Sequence, residues 1–179
     1  MQNLVSKKEE EERRLKALAE YRILGTKPES CYDDITKIAA TTCNVPISLM
    51  TLVDKDKQWF KSKIGLQISE TRRDWSFCTH AIKENNPLII HDAFQDERFI
   101  NNPLVTGDPK IRFYAGFPLR NSDGNKLGTL CVIDRKPGNL TTQQFNIMEL
   151  LSKQIVSFLE LRKKSLNLLD ALSNLHKQE

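Results

Sequence analysis

The residues best placed to do chemistry stand together as Ser76-Phe77-Cys78-Thr79-His80. A thiol and an imidazole suggest a nucleophile and its base, which must lie within hydrogen-bond reach of each other. Two positions apart on a helix, Cys78 and His80 point about 200° apart. That spacing is poor for nucleophilic catalysis. The plainer reading is a short helix, capped by Ser76, that turns Phe77 and Ala81 inward. No residue is assigned as catalytic.

A second cluster is Asp92, Asp96, Arg98 and Phe99, with Arg112 downstream. A planar guanidinium clamps a carboxylate or loop carbonyls, and this favours Arg98 as a staple of its own loop. The functional alternative has Arg98 or Arg112 holding an anionic ligand.

The four cysteines are Cys31, Cys43, Cys78 and Cys131, and none has Cys-x-x-Cys spacing. Structural zinc and a thioredoxin-like centre are therefore not expected. Cys43 and Cys131 read as small buried hydrophobes. A thiol enzyme would have to use Cys78 with Cys131. Of the three histidines, His80 and His91 fall near the expected pocket and His176 in the tail. Haem would need one of them, or a cysteine, as axial ligand. A lone histidine is more simply structural. No glycine-rich phosphate loop and no metal-ligand spacing appears, so no metal is assigned and the cofactor is left unknown.

Composition narrows the classes. The chain has 179 residues, 39% hydrophobic and 28% charged. This describes a soluble, globular chain of one domain with helical extensions. No apolar run approaches the roughly 18 residues of a membrane helix, and the N-terminus lacks a secretory h-region. A cytoplasmic protein without membrane contact is expected. The net charge of +4 comes from 27 basic and 23 acidic residues, interspersed. No basic block alternates with aromatics, so no nucleic-acid partner is expected.

The elements that must carry these residues follow from periodicity. Residues 7–24 read as a helix with a solvated charged face, pairing Glu9 with Arg13 and Glu10 with Arg14. Leu15, Leu18 and Ala19 form its stripe and Gly25 is placed to end it. A second helix starts near Ser30, with Ser30 and Asp33 as a capping box. It lays Cys31, Ile35, Ile38, Ala39 and Thr42 on a core and ends near Asn44. Ile47–Val53 and Gln58–Ile64 read as strands, 65–75 as a loop, and 76–85 as a short helix. Pro87–His91 reads as a strand and 92–110 as an irregular loop with one helical turn. Long irregular segments are often functional.

Next comes the clearest local signal in the chain, Ile111–Leu119 and Lys126–Asp134 joined by Asn121-Ser-Asp-Gly-Asn125. Alternation across a Gly-containing turn predicts an antiparallel hairpin. Ile111, Phe113, Ala115, Phe117 and Leu119 share one face; Arg112, Tyr114, Gly116 and Pro118 share the other. Gly128 permits close backbone approach. Thr141 or Thr142 caps a final helix running beyond residue 170. The order predicts an α+β fold with a central antiparallel sheet. The terminal helices cover one face and residues 65–110 the other.

The chain also resembles the GAF domain, a bacterial sensor module. The resemblance rests on ordered motifs: Tyr21-Arg-Ile-Leu-Gly-Thr-Lys-Pro-Glu29, Val53-Asp54 with Gln58-Trp-Phe-Lys61, Ser76-Phe-Cys-Thr-His-Ala-Ile82, and Asp92-Ala with Asp96-Glu-Arg-Phe99. Asn102-Pro-Leu-Val-Thr-Gly107, Ile111-Arg-Phe-Tyr-Ala-Gly116 with Pro118-Leu119, and Leu127-Gly-Thr-Leu-Cys-Val-Ile-Asp134 follow. Together they span about residues 15–160 and match a subgroup fused to histidine kinases, cyclases or phosphodiesterases.

The resemblance implies a five- or six-stranded sheet with a pocket under the segment between its middle strands. It divides the chain into an N-terminal helix (1–25), the GAF domain (26–160) and a C-terminal signalling or coiled-coil helix (161–179). Pocket contributions are expected from Phe77, Cys78, His80, Asp92, Arg98, Phe99, Arg112, Tyr114 and Cys131, for a small molecule whose identity is unknown. Bilin-binding members attach chromophore to a Cys followed directly by His; here Thr79 intervenes. The cyclic-nucleotide pattern of the family cannot be laid on this sequence either. One relative reduces an oxidised metabolite with thiols, which is the enzymatic alternative. A pocket filled by Phe77, Phe99, Phe113 and Tyr114 would instead indicate a ligand-free dimerisation module.

In the last helix Leu151, Gln154, Phe158, Leu161, Ser165, Leu168, Leu172 and Leu175 step by three and four. Heptad spacing favours a partner helix. A parallel homodimer is expected through Phe158, Leu161, Leu168, Leu172 and Leu175, with a kinase or cyclase as output.

Overall fold

A computed structural model describes residues 6–176 of the chain. The ends of the first and last expected segments, 1–5 and 177–179, lie outside the described residues. The helices are α1 (Lys7–Glu20), α2 (Ser30–Cys43), α3 (Phe77–Ala81), α4 (Pro103–Thr106) and α5 (Thr142–Leu175). The strands are β1 (Ile47–Val53), β2 (Lys57–Ile64), β3 (Glu70–Arg72), β4 (Leu88–Ile90), β5 (Phe113–Arg120) and β6 (Lys126–Asp134). They form one six-stranded sheet in the order β3-β2-β1-β6-β5-β4, with every pairing antiparallel. The expected α+β architecture is the observed one. No described helix is long and apolar enough to cross a membrane.

The sheet is covered on both faces, which is why β1 is buried along its whole length. One apolar cluster joins α1, α2 and α5 to Met50, Leu52, Phe113, Ala115, Phe117, Leu130 and Val132. A second joins α3 and the loops around α4 to Leu49, Phe60, Tyr114, Cys131 and Ile133. Alternation sends successive strand residues to opposite clusters.

Ser6 and Glu9 cap α1 reciprocally. The helix stops at Glu20 rather than near Gly25, because residues 21–24 leave it as a connector with Arg22 at a φ of 44°. Its charged face is not wholly solvated. Arg14 is buried, donating to the Val53 carbonyl at 2.7 Å and to Glu11 rather than Glu10. Ala17, not Ala19, joins Leu18 in the core.

In α2 the buried face is Tyr32, Ile35, Thr36, Ala39, Ala40 and Cys43, while Ile38 is exposed. The stripe is thus rotated from the expected one. Two buried residues, Tyr32 and Thr36, carry hydroxyls that make them look polar in sequence; Thr36 hides its own by donating to the Tyr32 carbonyl. Ser30 is the first helical residue and caps nothing. Asp33 instead accepts from Ser62 Oγ at 2.6 Å.

That contact depends on a bulge in β2. Met50 pairs with Ser62 and Thr51 with Phe60, leaving Lys61 as the extra residue. Lys61 and Ser62 both reach toward α2. The Lys61 ammonium is fully buried and donates to Thr26 Oγ1, the Lys27 carbonyl and Glu29 Oε1 at 2.6–2.8 Å. The segment 65–75, expected as loop, contains β3, a short edge strand paired with Lys57–Trp59.

The β5–β6 hairpin is as expected except at its start. Ile111 lies with Tyr114 on the α3 side, whereas Phe113 faces the helices. Regular pairing begins only at Phe113, after Lys110 at a φ of 63°, so alternation does not extend back to Ile111. A Cβ at Gly128 would stand 1.9 Å from the Thr51 carbonyl oxygen, so only glycine admits the β1–β6 spacing there. Thr141 and Gln144 form the cap of α5.

Candidate functional site

The side of the sheet away from the terminal helices holds a small cavity of about 30 Å³. Its walls begin with strand alternation. Leu49, Ile133 and Tyr114 project from β1, β6 and β5, and Phe60 and Gln58 from β2. Ser76 caps α3 through the Thr79 amide and so fixes where Phe77 and Cys78 enter. Leu66, Ile68, Leu104, Pro109 and Ile111 close the outer side.

The aromatics fill most of this space. Phe77 stacks on Phe99 with centroids 3.9 Å apart, and packs against Tyr114 at 5.1 Å. Phe99 and Tyr114 are fully buried. Phe113 takes no part, since it lies on the opposite face. About 30 Å³ is room for roughly one water, against the ~300–1,000 Å³ of pockets that hold drug-sized ligands.

Polar groups interrupt the apolar wall. Ser76 Oγ donates to Gln58 Oε1, both residues being buried. Thr71 Oγ1 is buried without a hydrogen-bond partner among the described residues. At the base, Thr129 Oγ1 donates to Cys78 Sγ at 3.0 Å and the Tyr114 hydroxyl donates to the same sulfur at 3.3 Å. Thr51 and Thr129 hydroxyls are 3.2 Å apart. Since Thr129 spends its proton on sulfur, Thr51 is the donor of that pair.

Cys131 sits two residues beyond Thr129 on the same face, pairs across from Gly116, and shares the buried cluster of Cys78. Burial raises the Cys78 thiol; the neighbouring Cys131 and the hydroxyls of Thr129, backed by Thr51, and of Tyr114 outweigh burial and hold it below the usual thiol range. Burial and the adjacent Cys78 push Cys131 well up, and the same two causes act on Tyr114.

Of the residues expected at the pocket, Phe77, Cys78 and Tyr114 line the cavity, Phe99 backs it and Cys131 lies beside it. The other four stand apart. His80 is half-buried at the rim, edge-on to Phe99 at 4.9 Å, and burial lowers its pKa. Arg112 makes a bidentate pair with Asp92 at 2.6 Å and covers the Phe94 ring. Arg98 pairs with Asp96 in the same way. These pairs staple the loop between β4 and β5. His91 bonds the Gly138 carbonyl.

Sequence reasoning missed Thr51, Gln58, Phe60 and Thr129. Thr51 and Thr129 were legible only through strand parity, since Thr51 shares the face of Leu49 on the cavity wall and Thr129 that of Cys131 beside it. Gln58 and Phe60 gave no such signal, because β2 reads as mostly polar.

A second arrangement links the sheet to α5. Arg162 donates to the Tyr21 and Arg22 carbonyls at 2.8 and 2.9 Å and to Glu29 at 3.1 Å, the carboxylate that also holds Lys61. The Tyr21 hydroxyl donates to Glu160 at 2.8 Å. Met148, Ser152, Ile155 and Leu159 bury the first half of α5, and Phe158 meets Tyr32 edge-on. Leu161, Leu168, Leu172 and Leu175 are each 45% exposed or more.

The family model of the GAF domain matches residues 27–158. A cyclic di-GMP phosphodiesterase of Pseudomonas aeruginosa is 37% identical over 150 residues, 83% of this chain. The chain spans only 26% of that relative's length. Among solved structures, the GAF domain of an Acinetobacter phosphoenolpyruvate-protein phosphotransferase superposes with a TM-score of 0.63 at 15% identity, covering 87% of this chain and 95% of that one. A free methionine-R-sulfoxide reductase of Neisseria meningitidis, solved with its substrate, gives 0.62 at 14% identity, covering 88% and 90%. At such identities these two likenesses concern the fold alone.

Proposed function

Because the chain belongs to the GAF domain family, we propose that it is a regulatory module of bacterial signal transduction in the cytoplasm, relaying the state of its cavity through paired α5 helices. The observation that carries this reading is the division of α5. Its 34 residues extend about 50 Å. Its residues up to Arg162 are fastened to the sheet and the connector; beyond them Arg22 pairs with Asp170, while Leu168, Leu172 and Leu175 are exposed to solvent. A helix packed at one end and carrying exposed leucines at the other suits a lever that a second copy completes.

The match to a quarter of a cyclic di-GMP phosphodiesterase supports a module that works beside an output domain, whether phosphodiesterase, cyclase or kinase. Relay requires that the cavity favour one of two helix arrangements over the other.

The small cavity favours a second reading, a ligand-free module used for dimerisation, with Phe77, Phe99 and Tyr114 occupying the pocket. Reduction of a metabolite by Cys78 and Cys131 draws support from their adjacency and none from a space of about 30 Å³.

Sedimentation equilibrium of the full chain tests the pairing. The chain is expected at twice its 20.6 kDa mass, and the Leu168→Glu, Leu175→Glu variant at the monomer mass with unchanged circular dichroism. A monomeric parent at high concentration contradicts the proposal.

A further inference from the structure

The buried thiols have a chemistry of their own, independent of whether α5 pairs. We propose that Cys78 and Cys131 form a dithiol that hydrogen peroxide oxidises to a disulfide, with Cys78 as the attacking thiol and Cys131 as the resolving one.

Three observations carry this. The first is the hydrogen-bond set around one sulfur. Thr129 at 3.0 Å and Tyr114 at 3.3 Å both donate to Cys78, and the Thr51 hydroxyl reinforces Thr129 from behind. Donors converging on sulfur favour thiolate, the nucleophilic form. The second is position. Cys78 lines the cavity, whereas Cys131 is absent from its wall and lies beside the groups that touch the Cys78 sulfur: it is two residues along β6 from Thr129 and pairs across from Gly116, over which the Tyr114 hydroxyl lies. A reagent in the cavity therefore meets Cys78 first. The third is size. A space of about 30 Å³ admits a molecule little larger than water, a limit hydrogen peroxide meets and organic hydroperoxides do not. Thr71 Oγ1, unpartnered in the same wall, and Gln58 offer it hydrogen bonds.

The chemistry balances without another reactant. The Cys78 thiolate attacks one peroxide oxygen and the O–O bond breaks. The departing hydroxide takes a proton and leaves as water, giving Cys78 sulfenic acid; sulfur loses two electrons and the peroxide gains them. Cys131 sulfur then attacks the sulfenic sulfur, its proton leaves with the displaced hydroxide as a second water, and the S–S bond forms. Cys31 and Cys43 do not compete, because both pack on the helix side of the sheet.

The test is peptide mapping and intact mass of the full chain after hydrogen peroxide treatment. The expected product is lighter by two hydrogens and carries a Cys78–Cys131 peptide pair reversible by dithiothreitol. In Cys131→Ser, dimedone should trap Cys78 sulfenic acid. In Cys78→Ser, Cys131 should stay reduced. The tert-butyl hydroperoxide rate should be at least about tenfold lower, as access to the thiolate governs selectivity. A disulfide through Cys31 or Cys43 would overturn the proposal. So would unmodified Cys78 when Cys31 is oxidised, or oxidation of Cys131 in the Cys78→Ser variant. Equal rates for the two peroxides would overturn the route through the cavity.

Discussion

The Tyr114 hydroxyl reaches Cys78 Sγ at 3.3 Å because position 116 has no side chain. Tyr114 lies along its own strand, and a Cβ at Gly116 would stand 2.0 Å from its hydroxyl oxygen and 2.5 Å from its ring. A glycine two residues on thus sets the direction of the tyrosine, and the tyrosine closes the cavity over the thiols.

Gly116→Ala should therefore act as overpacking. The ring must swing away, at a cost of about 1–3 kcal/mol, and the bond to Cys78 is lost. Urea denaturation gives the cost. Combined with Tyr114→Phe, which removes the nearest clashing atom, the loss should be less than additive. Additive losses would mean that ring and glycine are uncoupled.

Gly128→Ala should be worse. The clashing atom is a backbone carbonyl, Thr51 O, which cannot rotate out of the way. Separation of β1 from β6 at the centre of the sheet should cost more than about 3 kcal/mol. Soluble expression and thermal melting report it; a near-neutral effect would contradict the described strand spacing.

Glu11 links α1 to the approach to the cavity by holding Arg14 and Arg73, the latter just before α3. Burial alone would raise its carboxyl; the bonds and charges of Arg14 and Arg73 prevail and lower it from 4.5 to about 2. A depressed folded-state pKa stabilises fully above the unfolded value, and that stability is lost as pH falls from about 4.5 towards 2. After discounting for the carboxylate's partial exposure, about 1–2 kcal/mol should vanish over that window. Glu11→Gln should be less stable at pH 7 and show a flatter acid limb. An unchanged limb would remove Glu11 as its cause.

Arg162 fastens α5 to the connector and, through Glu29, to Lys61 in the β2 bulge. Arg162→Met leaves two carbonyls without their donor and should cost about 2 kcal/mol. Amide exchange should quicken in residues 160–170 while the sheet keeps its protection. Equal loosening of the sheet would mean that Arg162 serves global stability only.

Period-two elements were readable in the sequence because each side chain's neighbour faces the other way. β1 and the β5–β6 hairpin follow from it, whereas the short helix α3 was legible from its Ser76 cap. Failures occurred where periodicity is broken or where polarity misleads. The bulge at Lys61 turns a strand lysine inward, a feature no alternation announces. Arg14 is buried because the distant Val53 carbonyl and the nearby Glu11 carboxylate supply partners that the pattern does not reveal. Ile111 precedes regular pairing and so falls outside the parity of Phe113. At the site, Phe77, Cys78 and Tyr114 were legible by residue type. Thr51 and Thr129 were not, because threonine in a strand buried on both faces looks like ordinary strand composition.

The relay is tested most directly by an inter-protomer distance. A nitroxide at Asn167→Cys, in a Cys31→Ser background, reports the spacing of paired α5 helices. Cys78→Leu enlarges the side chain at the base of the cavity and forces Tyr114 or α3 to move. A relay requires a defined distance in the parent and, in the folded Cys78→Leu variant, a shift of about 2 Å, the scale of helix movements at subunit interfaces. An identical distribution in a folded variant, or no inter-protomer distance in the parent, would contradict it.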